Sequence, residues 1–497
     1  MMDEVIYNHG KQVANDEDDL SVPEAQRRAE GKTMEPSLCF AVPPKVALHT
    51  LGCKVNYFET EALREEFRRE GFSLVEFDDY ADVYLINTCT VTHQADRKAR
   101  QLIRRARRLN PQALVAVCGC YPQVDPGTVA ALPGVDLLAG TAERLRLPGL
   151  VKRKLQGEEI DRQVKPYDPG APFEWLPWTP EQGRTRAFLK IQDGCDCYCS
   201  YCVIPLARGP LRSLPPQQGL ASLREIIDAG YREVVLTGIH LGLYGVDLTP
   251  PTTLARFLEE AVHLPGLQRL RLSSLEPADF SAPLIAVISG SENICRHLHI
   301  PLQSGDDTIL QSMGRQYDTA FFRNLLKELR ANISDLAVST DIIVGFPGEE
   351  EEHFQNSLAF VRECAFSRLH VFPFSPRRGT RAAKMGPPVP SAVKKERSRS
   401  MIALGKALSR AFQQGFYGRT VPVLFEKIVD TVEETREAPD SAPPLRVRDR
   451  QPPLLLEGLT SQYLRVRVRA DADLRGQVRD VLLQPGTPEY LRGLIGS

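Results

Sequence analysis

The stretch "KIQDGCDCYCSYCVIP", Lys190 to Pro205, places four cysteines within eight positions. Cys195, Cys199 and Cys202 carry C-x3-C-x2-C spacing. Three thiolates so close can hold three irons of a cubane cluster and leave the fourth iron without a protein ligand. A small molecule can bind at that open iron and receive an electron. Zinc is the competing chemistry, but it usually takes a fourth Cys or His at short spacing. Cys197 could be offered as that fourth ligand. Residues i and i+2 in a tight loop tend to point apart, so it reads as a bystander. A second set repeats the logic at long range: Cys53 in "TLGCKVN", Cys89 in "INTCTVT" and Cys120 in "VCGCYPQ".

These thiols need elements that bring them together. From Lys45, "KVALHTL", "DVYLINT" and "ALVAVCG" read as strands. They alternate with an amphipathic helix carrying Leu63 and Phe67 inward, and with a helix through Leu102, Ile103, Ala106 and Leu109 that Pro111 closes. This predicts a small parallel α/β sheet over residues 45–150. Each of the three thiols follows one strand, and C-terminal strand ends line one edge of a parallel sheet. Cys118 sits inside its strand run, so Cys120 is the better ligand. The bland alternative is three unrelated buried cysteines; three of three at strand ends argues against it. Cys39, Cys295 and Cys364 have no such company and read as structural or incidental.

Residues 1–44 read as a flexible leader. The Pro-rich stretch within residues 151–183 reads as a linker. Over 184–416, six strand-like runs alternate with helical segments: "AFLKIQD", "EVVLTG", "RLRLSS", "HLHIPL", "VSTDIIVGF" and "RLHVFPF". Six units predict an open partial (β/α)6 barrel, and the loop of Cys195, Cys199 and Cys202 follows its first strand, where catalytic groups of such barrels sit. Short β runs over 417–486 predict a small all-β module. The fold class is thus α/β with an all-β C-terminal barrel.

The chain has 497 residues, too long for one core, and 11 cysteines, which without an export signal read as reduced ligands. No apolar run is long enough to span a bilayer. A cytoplasmic monomer is the expectation. A net charge of −1 excludes a global polycation, so nucleic-acid binding must rest on patches. Two stand out: Arg97 to Arg108, and a strand on which Arg465, Arg467 and Arg469 alternate and so share one face suited to phosphates.

C-x3-C-x2-C after the first strand of a partial barrel resembles the radical S-adenosylmethionine (SAM) enzymes. With the leading three-cysteine domain and the trailing β module, the chain looks like the methylthiotransferases. "TLGCKVN" is similar to the branch that modifies threonylcarbamoyladenosine in tRNA, 3′ of the anticodon. Sister branches act on isopentenyladenosine of tRNA or on an aspartate of a ribosomal protein. The resemblance implies two [4Fe-4S] clusters, one on Cys195, Cys199 and Cys202 that cleaves SAM to a radical, one on Cys53, Cys89 and Cys120 that holds the sulfur to be inserted. A second SAM would supply the methyl group. "LTGIHLGLYG", "RLSSLEP", "HIPLQSGDD", "MGRQY" and "STDIIVGFPGE" look like the family's strand ends. They imply that Gly238 meets the SAM amino group, and that Glu276, Gln303, Arg315 and Asp341 line the pocket for SAM and the base. Arg377 or Arg378 of "SPRRGTRAA" would contact substrate phosphate, and the β module looks like an RNA-binding TRAM domain. Cys197 departs from the family pattern, in which that slot is not a thiol. The implied partners are the tRNA anticodon stem-loop, an electron donor and a sulfur source. The reading from another class, a non-catalytic iron–sulfur carrier, has no need of a six-strand barrel or of open irons.

Overall fold

A computed structural model describes residues 42–160, 164–165, 167–168, 170–180, 184–429 and 453–496. Cys39 and the expected leader up to residue 41 lie outside these. Residues Pro43–Ser497 form one compact unit.

The first sheet is all-parallel, in the order β2 (Ser73–Val75), β1 (Lys45–Thr50), β3 (Val83–Thr88), β4 (Leu114–Gly119), β5 (Leu137–Ala139). Every residue of β3 and β4 is buried, which fits near-continuous apolar strands covered on both faces. Helix α1 (Lys54–Arg69) turns Leu63 and Phe67 inward. Helix α2 (His93–Leu109) starts where the Thr92 hydroxyl accepts from the Ala95 amide, and buries Ala99, Ile103 and Ala106. Its Arg97, Lys98, Arg104, Arg105 and Arg108 are exposed.

The central unit has six parallel strands: β6 (Arg186–Lys190), then, after a short antiparallel pair β7 (Gln192–Asp193) and β8 (Arg212–Ser213), β9 (Glu233–Thr237), β10 (Arg269–Leu272), β11 (His297–His299), β12 (Ala337–Val344) and β13 (Arg368–Pro373). These are the six runs read from the sequence. They pair as β10-β9-β6 and β11-β12-β13, and single parallel bridges at Leu270–Ile294 and Ser274–His299 join the halves. The barrel is open between β6 and β13. Helix α1 packs along β6, and its Phe58 and Ala62 belong to the barrel's own apolar core.

Two boundaries differ from the expectation. A helix over Leu147–Leu155 runs into the expected linker, and Leu176, Phe173 and Trp178 then pack against the barrel core. Aromatic side chains make that segment a strap on the barrel. At the other end, β14 (Thr420–Ile428), β15 (Leu454–Thr460), β16 (Arg465–Ala470), β17 (Val478–Gln484) and β18 (Leu491–Ile495) close into a barrel, so the β module runs past residue 486.

This small barrel is fastened to the strand starts of the large one. Arg269 donates to the Leu459 and Pro422 carbonyls at 3.1 and 2.7 Å. Arg271 donates to the Ser461 and Thr460 carbonyls at 3.0 and 3.2 Å while paired with Glu233 at 2.7 Å. The expected basic stripe on β16 is interrupted. Arg467 sits opposite Glu457, donates to it at 2.9 Å, and lies 4.0 Å over the Tyr490 ring. It is buried and neutralised across the strand pair, so of the three arginines only Arg465 and Arg469 are exposed. No helix among the described residues is long and apolar enough to cross a membrane.

Candidate active site with two thiol sets and a buried ionic bridge

Cys53 is the N-cap of α1, Cys89 follows β3, and Cys120 opens helix α3 (Cys120–Val124) straight after β4. Strand order puts β1, β3 and β4 side by side, so the three thiols share one edge of the sheet. Two glycines make that approach possible. Gly52 has φ +115°, and a Cβ there would lie 2.7 Å from Cys89 Cβ. Gly119 has φ +95°, and its Cβ would meet Asn87 Oδ1 at 2.4 Å. Only glycine fits either place. Burial pushes the Cys120 thiol up to about 12 and raises Cys89 as well. Such thiols keep their protons at neutral pH until a metal displaces them. Cys118 lies wholly buried inside β4.

Asn56 organises this edge. Its amide donates to the Leu51 and Thr88 carbonyls at 2.8 and 3.1 Å, and its Oδ1 accepts from Arg208 at 2.6 Å. The Cys53 thiol lies 3.8 Å from the same Oδ1. Arg208 closes the five-residue helix Ile204–Arg208, which begins just after Cys202. The next residue, Gly209, offers its carbonyl to the Cys195 amide at 3.1 Å. One short segment therefore borders the second thiol loop at both ends and reaches the first thiol set.

Buried charge continues the link. Glu59 of α1 accepts from Lys190 at 3.0 Å and from Arg208 at 2.8 and 3.1 Å, and pairs with Arg144 at 2.8 Å. Asp193 pairs with Lys190 at 2.7 Å and with Arg208 at 3.0 Å. Burial alone would raise the Glu59 carboxyl, but Arg144, Arg208 and Lys190 hold it down at about 2. The network was not legible in the sequence, because Glu59, Arg144 and the segment from Lys190 to Arg208 lie far apart in the chain and only packing brings them together.

The loop of Cys195, Cys199 and Cys202 is pinned from below. The Ser200 amide donates to the Met313 carbonyl at 2.8 Å, and the Ala382 amide to the Ser200 carbonyl at 2.7 Å. A Cβ on Gly194 would fall 1.8 Å from the Pro210 carbonyl oxygen. Arg315 donates to Cys199 Sγ at 3.2 Å and is ion-paired with Glu276. Cys202, Gln303 and Asp341 line one cavity of about 180 Å³, to which Val91 and Thr92 of the first domain also contribute. Four of the five residues expected in the pocket thus lie against the second thiol set or in this cavity. Gly238 instead packs on Gln192, where a Cβ would meet Oε1 at 2.8 Å.

Two expectations are corrected. Cys197 does not turn away from Cys195. Both sulfurs face Nδ1 of His240, Cys197 at 3.3 Å and Cys195 at 3.6 Å; the loop here is not a strand, so neighbouring side chains need not alternate. Arg377 is buried and held by Asp96 at 2.7 Å and Thr90 at 2.5 Å, so it clamps the two domains and is not open to phosphate; Arg378 is exposed. His240 and Gln192 were missed. His240 stood within the motif "LTGIHLGLYG", but nothing in its spacing connects it to cysteines 45 residues upstream.

Comparison with known proteins agrees with this geometry. The description "uncharacterized protein family UPF0004" matches residues 45–140, and "Radical SAM superfamily" matches residues 189–361. The chain is 39% identical over 89% of its length to threonylcarbamoyladenosine tRNA methylthiotransferase MtaB of Bacillus subtilis, covering 94% of that protein. It is 37% identical over 79% to the same enzyme of Aquifex aeolicus, again covering 94%. To tRNA-2-methylthio-N(6)-dimethylallyladenosine synthase of Desulfitobacterium hafniense it is 32% identical over 91%, covering 97%. Among solved structures, the radical SAM methyltransferase TsrM of Kitasatospora setae superposes with TM-score 0.52 at 15% identity, over 67% of this chain and 75% of that one; this concerns the fold alone. With two thiol sets on one bridged pair of sheets and relatives at this level over nearly the whole length, the chain belongs to the radical SAM tRNA methylthiotransferase family.

Proposed function

We propose that this enzyme adds a methylthio group to C2 of N6-threonylcarbamoyladenosine at position 37 of tRNA, in the cytoplasm. The observation that carries the reading is the pairing of two incomplete thiol sets joined through Arg208, in a chain more similar to the threonylcarbamoyladenosine enzymes than to the dimethylallyl one.

Cys53, Cys89 and Cys120 fit one [4Fe-4S] cluster, and Cys195, Cys199 and Cys202 the other: each set offers three sulfurs beside a backbone held open by glycine, so each leaves a corner for a reactant. When bound, these clusters and SAM supply the radical and sulfur-transfer chemistry that an unactivated aromatic C–H requires. The chain's own part is placement. Arg315 donates to the Cys199 sulfur and holds Glu276 beside it. Gln303 and Asp341 offer polar groups in the cavity next to Cys202, positions suited to the polar ends of SAM and the target base. The C-terminal barrel and the basic face of α2 suit the tRNA backbone. The electron donor and sulfur source act from outside these residues.

Mass analysis of tRNA nucleosides tests this. A strain lacking the gene is expected to lose 2-methylthio-threonylcarbamoyladenosine, to regain it with the wild-type chain and not with Cys120→Ala. Restoration of a methylthio group on isopentenyladenosine would overturn the substrate assignment.

A further inference from the structure

One cluster of metal-ligating side chains joins Cys195 of the barrel's thiol set to two side chains that the reaction does not use. Cys195 Sγ, Cys197 Sγ and His240 Nδ1 all lie within 4.8 Å of one another, the one trio of Cys, His or carboxylate ligand atoms so close among the described residues. A tetrahedral zinc-class site with bonds of about 2.3 Å to sulfur and about 2.0–2.1 Å to nitrogen has sulfur–nitrogen edges of about 3.6 Å. The observed edges are 3.6 and 3.3 Å.

His240 is set for ligation. It is buried, and its Nε2 lies 3.0 Å from both carboxylate oxygens of Asp279, which leaves Nδ1 facing the sulfurs. A carboxylate behind a histidine is the usual support of a metal-bound imidazole. Asp279 is itself fixed: its Oδ2 accepts from the Glu276 amide at 2.9 Å. It reaches His240 because residue 242 is glycine, where a Cβ would fall 2.0 Å from that same Oδ2. The His240 amide in turn donates to Gln192 Oε1 at 2.7 Å. Backbone and side chain of the histidine are both locked before any ion arrives.

We propose that Cys195, Cys197 and His240 form a mononuclear site for a divalent transition-metal ion of the zinc class, with a fourth position open to water. Cys195 belongs to this site and to the barrel's cysteine set, so occupancy by the ion excludes the iron–sulfur cluster. The barrel loop then has two metal states, and cluster assembly must displace the ion, releasing it as the thiolates pass to iron.

The test uses the full chain, cluster-free, with Cys53, Cys89 and Cys120 replaced by Ala, and Co2+ as the probe. One equivalent is expected to bind with sulfur-to-cobalt charge transfer and tetrahedral d–d bands. Cys197→Ser and His240→Gln should each weaken binding by about tenfold or more, and Asp279→Asn by about 10–100-fold. Cys202→Ser should leave it within about twofold. Cys197 is exposed, so its variant folds even where His240→Gln does not. One equivalent of Zn2+ added before iron and sulfide should lower iron uptake by the loop, and do so less with Cys197→Ser. Loss of cobalt binding in Cys202→Ser with retention in Cys197→Ser would put the ion on the cluster cysteines and overturn the proposal. The tRNA nucleoside result is independent of either outcome.

Discussion

A side chain at residue 52 would have nowhere to go. Its Cβ would press on Cys89 Cβ at 2.7 Å and on Asn56 Nδ2 at 2.9 Å, and the backbone already sits at φ +115°. Gly52→Ala therefore adds strain of about 1–3 kcal/mol and separates Cys53 from Cys89. Iron per reconstituted chain is expected to fall from about eight toward about four, with the thermal midpoint lowered. Iron unchanged at about eight would mean that glycine at residue 52 is not what lets Cys53 and Cys89 share a cluster. The cysteines themselves were legible because ligand chemistry restricts residue type and spacing. Cys197 was misjudged because nothing in the sequence places His240 beside the loop, and Cys195 and Cys197 both turn toward it.

Elements carry the next level of order. Six barrel strands and four module strands were readable from apolar runs and turn signals; the fifth, Leu491–Ile495, lies past the end expected for the module. What joins them was not. The bridge from α1 to β6 and to the helix Ile204–Arg208 consists of Glu59, Lys190, Asp193 and Arg208, whose partners are fixed only by tertiary packing. Removing one member of a buried charge set strands the others, at about 3–5 kcal/mol. Glu59→Gln should lower the unfolding free energy of cluster-free protein by that order at pH 6–7. The sign of the pH effect follows from a folded-state pKa depressed from about 4.5 to about 2. This share of stability is full above pH about 4.5 and is lost as pH falls through that window to about 2. Urea melts of wild type and Glu59→Gln should therefore diverge at pH 6 and draw together only as pH falls toward about 2. Curves that stay parallel in acid would show that Glu59 is not held ionised by this network.

At the scale of the whole molecule, charge has to be found locally because the total is −1. The exposed face of α2 concentrates it: Lys98, Arg104, Arg105, Arg107 and Arg108 line a groove of about 990 Å³. Two of these are committed, Arg105 to Asp78 and Arg107 to Asp136. Arg97, Lys98, Arg104 and Arg108 remain for phosphate. On the C-terminal barrel Arg465 and Arg469 are exposed, and Arg465 shares Glu457 with Arg467, which leaves α2 the stronger candidate for tRNA. Sequence alone weighted the two patches alike because cross-strand neutralisation is invisible in a run of arginines. Neutralising Arg97, Lys98 and Arg104 together should reduce the slope of log affinity for tRNA against log salt by roughly 0.7–0.9 for each phosphate that is no longer paired with a cation. The same triple change leaves the apolar face of α2 intact, so iron content and thermal midpoint should hold. Filter binding at several salt concentrations measures the slope. An unchanged slope, with binding abolished instead in Arg465→Ala, would move the anticodon arm to the C-terminal barrel and leave the α2 groove without a role in tRNA capture.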